Sequence, residues 1–522
     1  MEKLFYIYFF LPIIVLFSGC YDDKGNYTYD EIGEILISLP EDKTSYDVPL
    51  GGLLKINSSV VSDVDNNNLT CVWEIYSNDA FRKFAEGESL ECEFGPSEYV
   101  PSAGIYTIRL TVTRKDNQVQ VFSKHITVHV TGNSTGLMVL HGYADSCDIA
   151  IVRASEFLGM APDIPLDIQV FRNWYSDVNG VHIQGKAISV IHSYTSDTDP
   201  DRCYVVALTT EGGICADYET GHLKMLYKDL FFGGLNQNMP EGFFALDTKE
   251  VVFDGGDVFS NAPSEAAWGS GSLFFSTPLV PVKKNYSFAP FLFTVDGWNY
   301  GADAVLFDRN SHAFIQIQGF WGGEVISSAI KTPGSKFDLS DMQAELVYMD
   351  RGGSSGHHVA IMKSIIDEQL VAVELDFAAD VPDNIPYAKY DLNQLEAIST
   401  AKFFAFGDNN PSMCYYANGT SIYRYILLSD NAQPTSSLLT TSDGRTPVTF
   451  DGRVTMMKIL KPNEVWGKFS YYMYNKILVV GTQAGEEGIL YAFELDDNGN
   501  VKSQICKIDG FKTITDVAIK GL

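Results

Sequence analysis

Between residues 104 and 113 apolar and polar positions alternate along the chain. Tyr106, Ile108, Leu110 and Val112 take one side, and Ile105, Thr107, Arg109 and Thr111 take the other. Period two with one apolar face predicts a half-buried strand. A second strand is expected over 121–130, after the turn at Lys115-Asp116-Asn117. Its apolar face would be Ile126, Val128 and Val130, with His125 and His129 on the opposite, wet face. Two residues four apart on a strand stand about 13 Å apart, so these imidazoles do not share a metal. Trp73, inside Cys71-Val72-Trp73-Glu74-Ile75-Tyr76, offers the large side chain that a sandwich core requires. Residues 35–132 therefore read as a small β-sandwich.

Past Gly132 the rhythm changes to repeated hairpins, each an apolar strand, a short polar turn and a second apolar strand. Ala304–Phe307 turns through Asp308–Ser311 into His312–Ile317. Val359–Met362 turns near Asp367 and Glu368 into Leu370–Leu375. Met413–Tyr416 turns through Asn418-Gly419 into Ser421–Ile426. Ile477–Val480 is followed by Gly488–Leu495, and Cys203–Leu208 by Ile214–Asp217. Asn-Gly is a strong tight-turn signal. Hairpins recurring over 133–522 imply radial repetition, and at roughly fifty residues per four-stranded blade they predict a β-propeller of about seven or eight blades. Two further β-sandwiches would give similar strand spacing and are the alternative. The expected fold is all-β: an N-terminal β-sandwich followed by a β-propeller-like domain.

Composition agrees with this reading: 28 Tyr, 33 Phe and 44 Gly favour strands and tight turns. The 66 acidic residues against 37 Lys and Arg give a net charge of −29, which argues against nucleic acid as a partner.

The first residues carry an address. Residues 4–17 are almost wholly apolar, follow Lys3 and precede Ser18-Gly19-Cys20. The run is shorter than the roughly twenty residues that span a bilayer and reads as a signal-peptide core. Small residues before Cys20 resemble a lipoprotein cleavage site, which makes 1–19 a signal peptide and 20–34 a tether lipidated at Cys20. Several acyl chains on one cysteine suffice for stable anchoring. Asp22 and Asp23, directly after it, resemble the surface-export signal of Bacteroidota lipoproteins. No later apolar run reaches eighteen residues, so the lipid is the expected membrane contact.

Seven cysteines remain: Cys71, Cys92, Cys147, Cys203, Cys215, Cys414 and Cys506. The number is odd and no C-x-x-C pair occurs, so at least one thiol stays free. Cys71–Cys92 and Cys203–Cys215 are the candidate disulfides, with buried free thiols as the alternative.

Catalytic motifs of the nucleophile-elbow, zincin and P-loop kinds are absent. Gly352-Gly353-Ser354-Ser355-Gly356-His357-His358 is the most reactive-looking stretch, although no orienting carboxylate can be picked out for it. Asp197, Asp199 and Asp201 alternate in one turn, where three carboxylates would repel without a cation, so they are candidate Ca²⁺ ligands. Asp63, Asp65, Asn67 and Glu74 have Ca²⁺-loop spacing, but Asn68 replaces the glycine of the sharp turn, which favours a plain polar turn. Trp174, Tyr175, Trp298, Tyr300, Trp321, Tyr471 and Tyr472 sit beside Gly, Asn or Asp and are candidate ligand platforms, because flat aromatic faces flanked by polar groups suit sugars or extended peptides.

Trp73, then Ala103-Gly104-Ile105-Tyr106-Thr107 running into a Leu-Thr-Val strand, resembles the polycystic kidney disease (PKD) domain. The Trp-Asp-Phe-Gly-Asp-Gly run of that family is replaced by Trp73-Glu74-Ile75-Tyr76-Ser77-Asn78. Joined to the lipidation signal and the long β-rich region, it resembles the PKD-like surface lipoproteins of gut Bacteroidota. That resemblance implies a non-catalytic accessory subunit of a Sus-type nutrient importer, lipid-anchored in the outer membrane and facing outward. The implied partners are a TonB-dependent transporter, its lid lipoprotein and an oligopeptide or glycan ligand. A surface glycan- or peptide-cleaving enzyme on a propeller, or an adhesin, are the competing expectations.

Overall fold

The computed structural model describes residues 35–49, 52–62, 68–77, 80–94, 99–100, 104–131, 136–157, 168–194, 203–218, 220–231, 239–246, 249–261, 279–283, 285–294, 304–318, 326–353, 356–377, 379, 382–408, 412–428, 433–461 and 474–520. The chain divides into two compact units, Met1–Thr131 and Gly132–Leu522.

In the first unit, Gly104–Arg114 is the central strand of the main sheet. It pairs antiparallel with Leu69–Ser77 and Ile126–Thr131; Ala80–Glu86 extends the sheet on one side and Ser45–Pro49 on the other, the last running parallel to its neighbour. Two ribbons, Ile35–Ser38 with Ser59–Ser62 and Gly52–Ile56 with Leu90–Phe94, complete the unit. The alternation seen along the chain decides which side chains go inside. Trp73, Ile75, Ile108, Leu110, Val112, Ile126 and Val128 are fully buried together with Ile56, while Ile105 on the other face is exposed. One expected detail differs. The 121–130 stretch is two strands, Gln120–Phe122 and Ile126–Thr131. His125 lies between them, its ring 5.2 Å from that of Phe81.

The described residues of the second unit are nearly all strand and form seven sheets. Six of them are meanders of four consecutive antiparallel strands. Their first strands are Ala187–Tyr194, Pro240–Leu246, Phe288–Thr294, Ala344–Arg351, Phe403–Phe406 and Arg453–Ile459. Consecutive pairing is what short turns enforce; the hairpin expected at Asn418-Gly419 turns through Gly419, at φ +61°, and Thr420, closed by the pair Asn418 and Ser421. The remaining sheet joins the two ends of the unit. Thr513–Lys520, the last strand, pairs antiparallel with Gly136–Gly142, beside which lie Ser146–Arg153 and the short strands Gln169–Phe171 and Ile183–Gln184.

Numbering this joined sheet blade one, apolar layers fill every successive gap. Met138 and Leu140 meet Val205 and Ala207; Val206 and Leu208 meet Phe243; Val251 and Phe253 meet Phe288. Phe307 meets Met362, Ile361 meets Phe404, and Tyr415 meets Val480. Val479 and Leu490 of blade seven meet Leu137 and Val152 of blade one. Among the described residues the second unit is a β-propeller of seven blades, not a pair of sandwiches. Both faces of most sheets are buried, so strands such as Ala304–Asp308 and Gly136–Gly142 are buried at every position and show little alternation.

Candidate functional site

The first strands of the blades lie side by side, each against the next. At blades five, six and seven, the residues where these strands end carry an interlocked set of charges. Lys461, just past Arg453–Ile459, places Nζ 2.8 Å from Asp350 Oδ2 and donates to the Arg351 carbonyl at 2.6 Å. The Lys461 side chain is 10% exposed and that of Asp350 32%, so the pair is shielded on the lysine side and open to water on the other. Tyr348 also donates to Asp350 Oδ2, at 3.3 Å, and burial pushes its phenol well above the ordinary range. On the blade-six side, Tyr474 donates to Asp408 Oδ2 at 2.6 Å, and the Asp408 N–H donates to Asn475 Oδ1 at 2.9 Å. Burial first, and Asp408 second, push the Tyr474 phenol up to about 12, while the Arg351 guanidinium opposes them. The second oxygen of Asp408 is buried and has no hydrogen-bond partner among the described residues. A buried carboxylate oxygen lacking a donor costs free energy until a water or ligand supplies one.

A related device links blades seven, one and two. Lys458 Nζ lies 3.1 Å from Asp516 Oδ1, and Asp516 Oδ2 accepts the Val190 N–H at 3.0 Å.

The connection leaving Ala344–Arg351 holds the Gly/Ser-rich stretch, and the structure supplies the carboxylate that the sequence could not identify. His357 Nδ1 lies 2.7 Å from Glu374 Oε1, and the other Glu374 oxygen accepts from Tyr390 OH at 2.7 Å. A carboxylate only accepts, so Nδ1 is the donor and its proton is fixed there. Glu374 is 2% exposed. Gly353, at φ +90°, covers it so closely that a Cβ would stand 2.5 Å from Oε1. The ring of Tyr387 packs edge-on against His357. His358, its neighbour, is buried against Phe293 and Phe377.

The predicted site residues divide into three groups. Trp174 and Tyr175 are buried, on the short helix α1 (Trp174–Asn179), inside the layer between blades one and two. Asp148 holds that helix in place: one oxygen accepts the N–H groups of Ile149, Tyr175 and Ser176, and the other takes His182 Nδ1 at 2.9 Å. These two aromatics are blade packing, because the Trp174 ring is enclosed by Lys520, 5.5 Å away, and by Gly221.

The cysteine pairs form the second group. Cys71 and Cys92 are both free and pack separately onto the sandwich core, since their strands belong to different sheets. Cys215 is free and stands opposite Val206, three residues from Cys203 along the facing strand. Three strand residues span about 10 Å, beyond the reach of a disulfide. Glu74, proposed as the twelfth position of a Ca²⁺ loop, instead accepts from Arg109 Nε at 2.9 Å and from the Thr111 hydroxyl at 2.5 Å.

Cys20, Asp22, Asp23, Asp197, Asp199, Asp201, Trp298, Tyr300, Trp321, Tyr471 and Tyr472 lie outside the described residues, as do Asp63, Asp65 and Asn67. Among the described residues no helix is long and apolar enough to cross a membrane.

A family model described as the PKD-like family matches residues 20–187. The N-terminal third of the chain is similar to that family. The match crosses the sandwich, continues through the N-terminal strands of blade one and stops where Ala187–Tyr194 begins. No curated protein matches. Among solved structures, apo AztD from Citrobacter koseri is 10% identical, with a TM-score of 0.38 over 74% of this chain and 98% of its own. The PQQ-bound aldose sugar dehydrogenase of Streptomyces coelicolor is 10% identical, with a TM-score of 0.25 over 57% of this chain and 88% of its own. A chain of the Chaetomium thermophilum Polycomb Repressive Complex 2 bound to GSK126 is 9% identical, with a TM-score of 0.28 over 50% and 52% respectively.

Proposed function

We propose that this chain is a non-catalytic binding subunit, anchored through lipid at Cys20 to the outer membrane and facing outward. In this reading it serves a Sus-type TonB-dependent transporter and its lid lipoprotein, and it takes an oligopeptide or glycan. The observation that carries the binding role is the convergence of Asp350, Arg351, Asp408, Lys461 and Tyr474 where the first strands of three successive blades end. Fixed charges already oriented by one another bind a ligand without paying again to order them. The segments bearing Trp298 and Tyr300, and Tyr471 and Tyr472, leave the chain just after two first strands, at Thr294 and Lys461. Anchoring supports the partnership: confinement to the membrane plane raises effective concentration near a transporter without high intrinsic affinity.

The test is co-purification from detergent-solubilised outer membrane, joined to calorimetric titration of the purified protein with oligopeptides and oligosaccharides. Recovery with a transporter, and ligand binding weakened by Asp408→Asn, is the expected result. Recovery alone, without binding, overturns the proposal, and release of cleavage products would replace it with an enzyme.

A further inference from the structure

We propose that the ligand of the site at blades five, six and seven is an oligopeptide held by its free amino end, its α-ammonium donating to Asp408 Oδ1. The inference rests on the binding role proposed above and narrows it to one chemistry. Two polar atoms of Asp408 are already engaged: Oδ2 accepts from Tyr474 OH at 2.6 Å, and the N–H donates to Asn475 Oδ1 at 2.9 Å. Oδ1 is buried and has no hydrogen-bond partner among the described residues. A carboxylate oxygen only accepts, so the group that completes it is a donor.

The neighbouring charges choose among donors. Asp350 is matched by Lys461, whose Nζ lies 2.8 Å from Oδ2. That leaves Asp408 and Arg351, with the phenol of Tyr474 between them: Arg351 bonds to the phenol, and the phenol donates to Asp408. Oδ2 thus meets a neutral group and Oδ1 meets none. A charged donor makes a hydrogen bond about twice as strong as a neutral one, so an ammonium suits Oδ1 better than a sugar hydroxyl does. In a peptide the first carbonyl lies beside the α-ammonium, and a carbonyl is an acceptor for the guanidinium of Arg351. The acceptor is also held still. Asn475 is buried at φ +61°, a backbone conformation that Asn tolerates better than most residues, and its N–H donates to the Leu460 carbonyl at 3.0 Å. Asp408 is therefore tied to the end of Arg453–Ile459 before any ligand arrives.

The test offers the immobilised intact protein a lysine-free oligopeptide pool in two forms, free and N-acetylated, with an oligosaccharide pool alongside. We expect the free pool to be retained and the acetylated pool to bind at least about tenfold more weakly. Asp408→Asn, which keeps an acceptor for Tyr474, should remove that difference, and melting curves check that the variant is folded. Retention should also fall as pH rises through about 8, where an α-ammonium loses its proton. The groups around the site do not titrate there: burial pushes the Tyr474 phenol up to about 12, and burial first, with Arg351 and Lys461 second, holds His358 well below its ordinary value. Equal retention of the acetylated pool, or unchanged retention of the free pool by folded Asp408→Asn, overturns the inference. So does retention of an acetylated pool once lysine is included, which assigns the ammonium to a side chain. Retention of oligosaccharides alone overturns this inference and leaves the binding role standing, whereas retention of neither pool overturns both.

Discussion

His141 shows how one side chain ties local chemistry to the joining of the two ends of the second unit. Its Nε2 lies 3.0 Å from the Arg172 carbonyl, and its Nδ1 accepts the Lys512 N–H at 3.3 Å. The ring is therefore neutral, with its proton on Nε2, and burial holds its pKa below the ordinary value. The unfolded chain takes up the proton near pH 6.5 and the folded chain only at lower pH. The stability His141 contributes is thus complete above about pH 6.5 and is lost as pH falls towards the folded value. Denaturant titrations between pH 7 and pH 5 should show stability falling, and His141→Gln should flatten that slope. Gln can donate to Arg172 and accept from Lys512 but does not titrate. An unchanged slope would show that other groups govern this range.

At the scale of elements, the strand Thr513–Lys520 matters most, because it covers the edge of Gly136–Gly142 that Ser146–Arg153 leaves open. Its Ile514 and Val517 are fully buried against blade seven. Burying each such side chain stabilises the fold by about 1.5–3 kcal/mol, before any ladder hydrogen bonds are counted. A chain ending at residue 512 should lose its cooperative thermal transition or melt well below the intact protein. Scanning calorimetry would decide, and an unaltered melting temperature would contradict the assigned role.

Much at this scale was legible in advance. The alternation through Tyr106, Ile108, Leu110 and Val112 put those residues on the inner face of the sandwich, and the Asn418-Gly419 turn marked a hairpin where one stands. The blade number was only bracketed, since no rigid repeat marks the blades. Pairing of residue 136 with residue 520 has no local signal, because nothing in either segment specifies a partner so distant in sequence. Glu374 escaped notice for a similar reason. It is one acid in the apolar run Leu370–Leu375, and its meaning appears only when the adjacent strand brings His357 to it. A charge inside an otherwise buried strand was the available clue. Trp174 and Tyr175 misled because neighbouring Asn and Asp suggest a loop, whereas Asp148 gathers them into a helix turn.

At the scale of the molecule, each unit has a core of its own: Trp73 and its neighbours in one, the interblade layers in the other. Residues 1–131 and 132–522 made as separate proteins should each unfold cooperatively, judged by coincident transitions in circular dichroism and tryptophan fluorescence. Failure of the second unit to fold alone would mean that its blades depend on the sandwich.

The sheet shared between residues 136 and 520 also bears on how the protein is made. Synthesis runs from one end, and Gly136–Gly142 emerges long before Thr513–Lys520, the strand that completes its sheet. Until then Gly136–Gly142 presents a bare edge, a template open to wrong pairing. A premature stop between residues 142 and 513 would leave every such chain with that edge exposed, so quality control could recognise all of them by one unfinished feature.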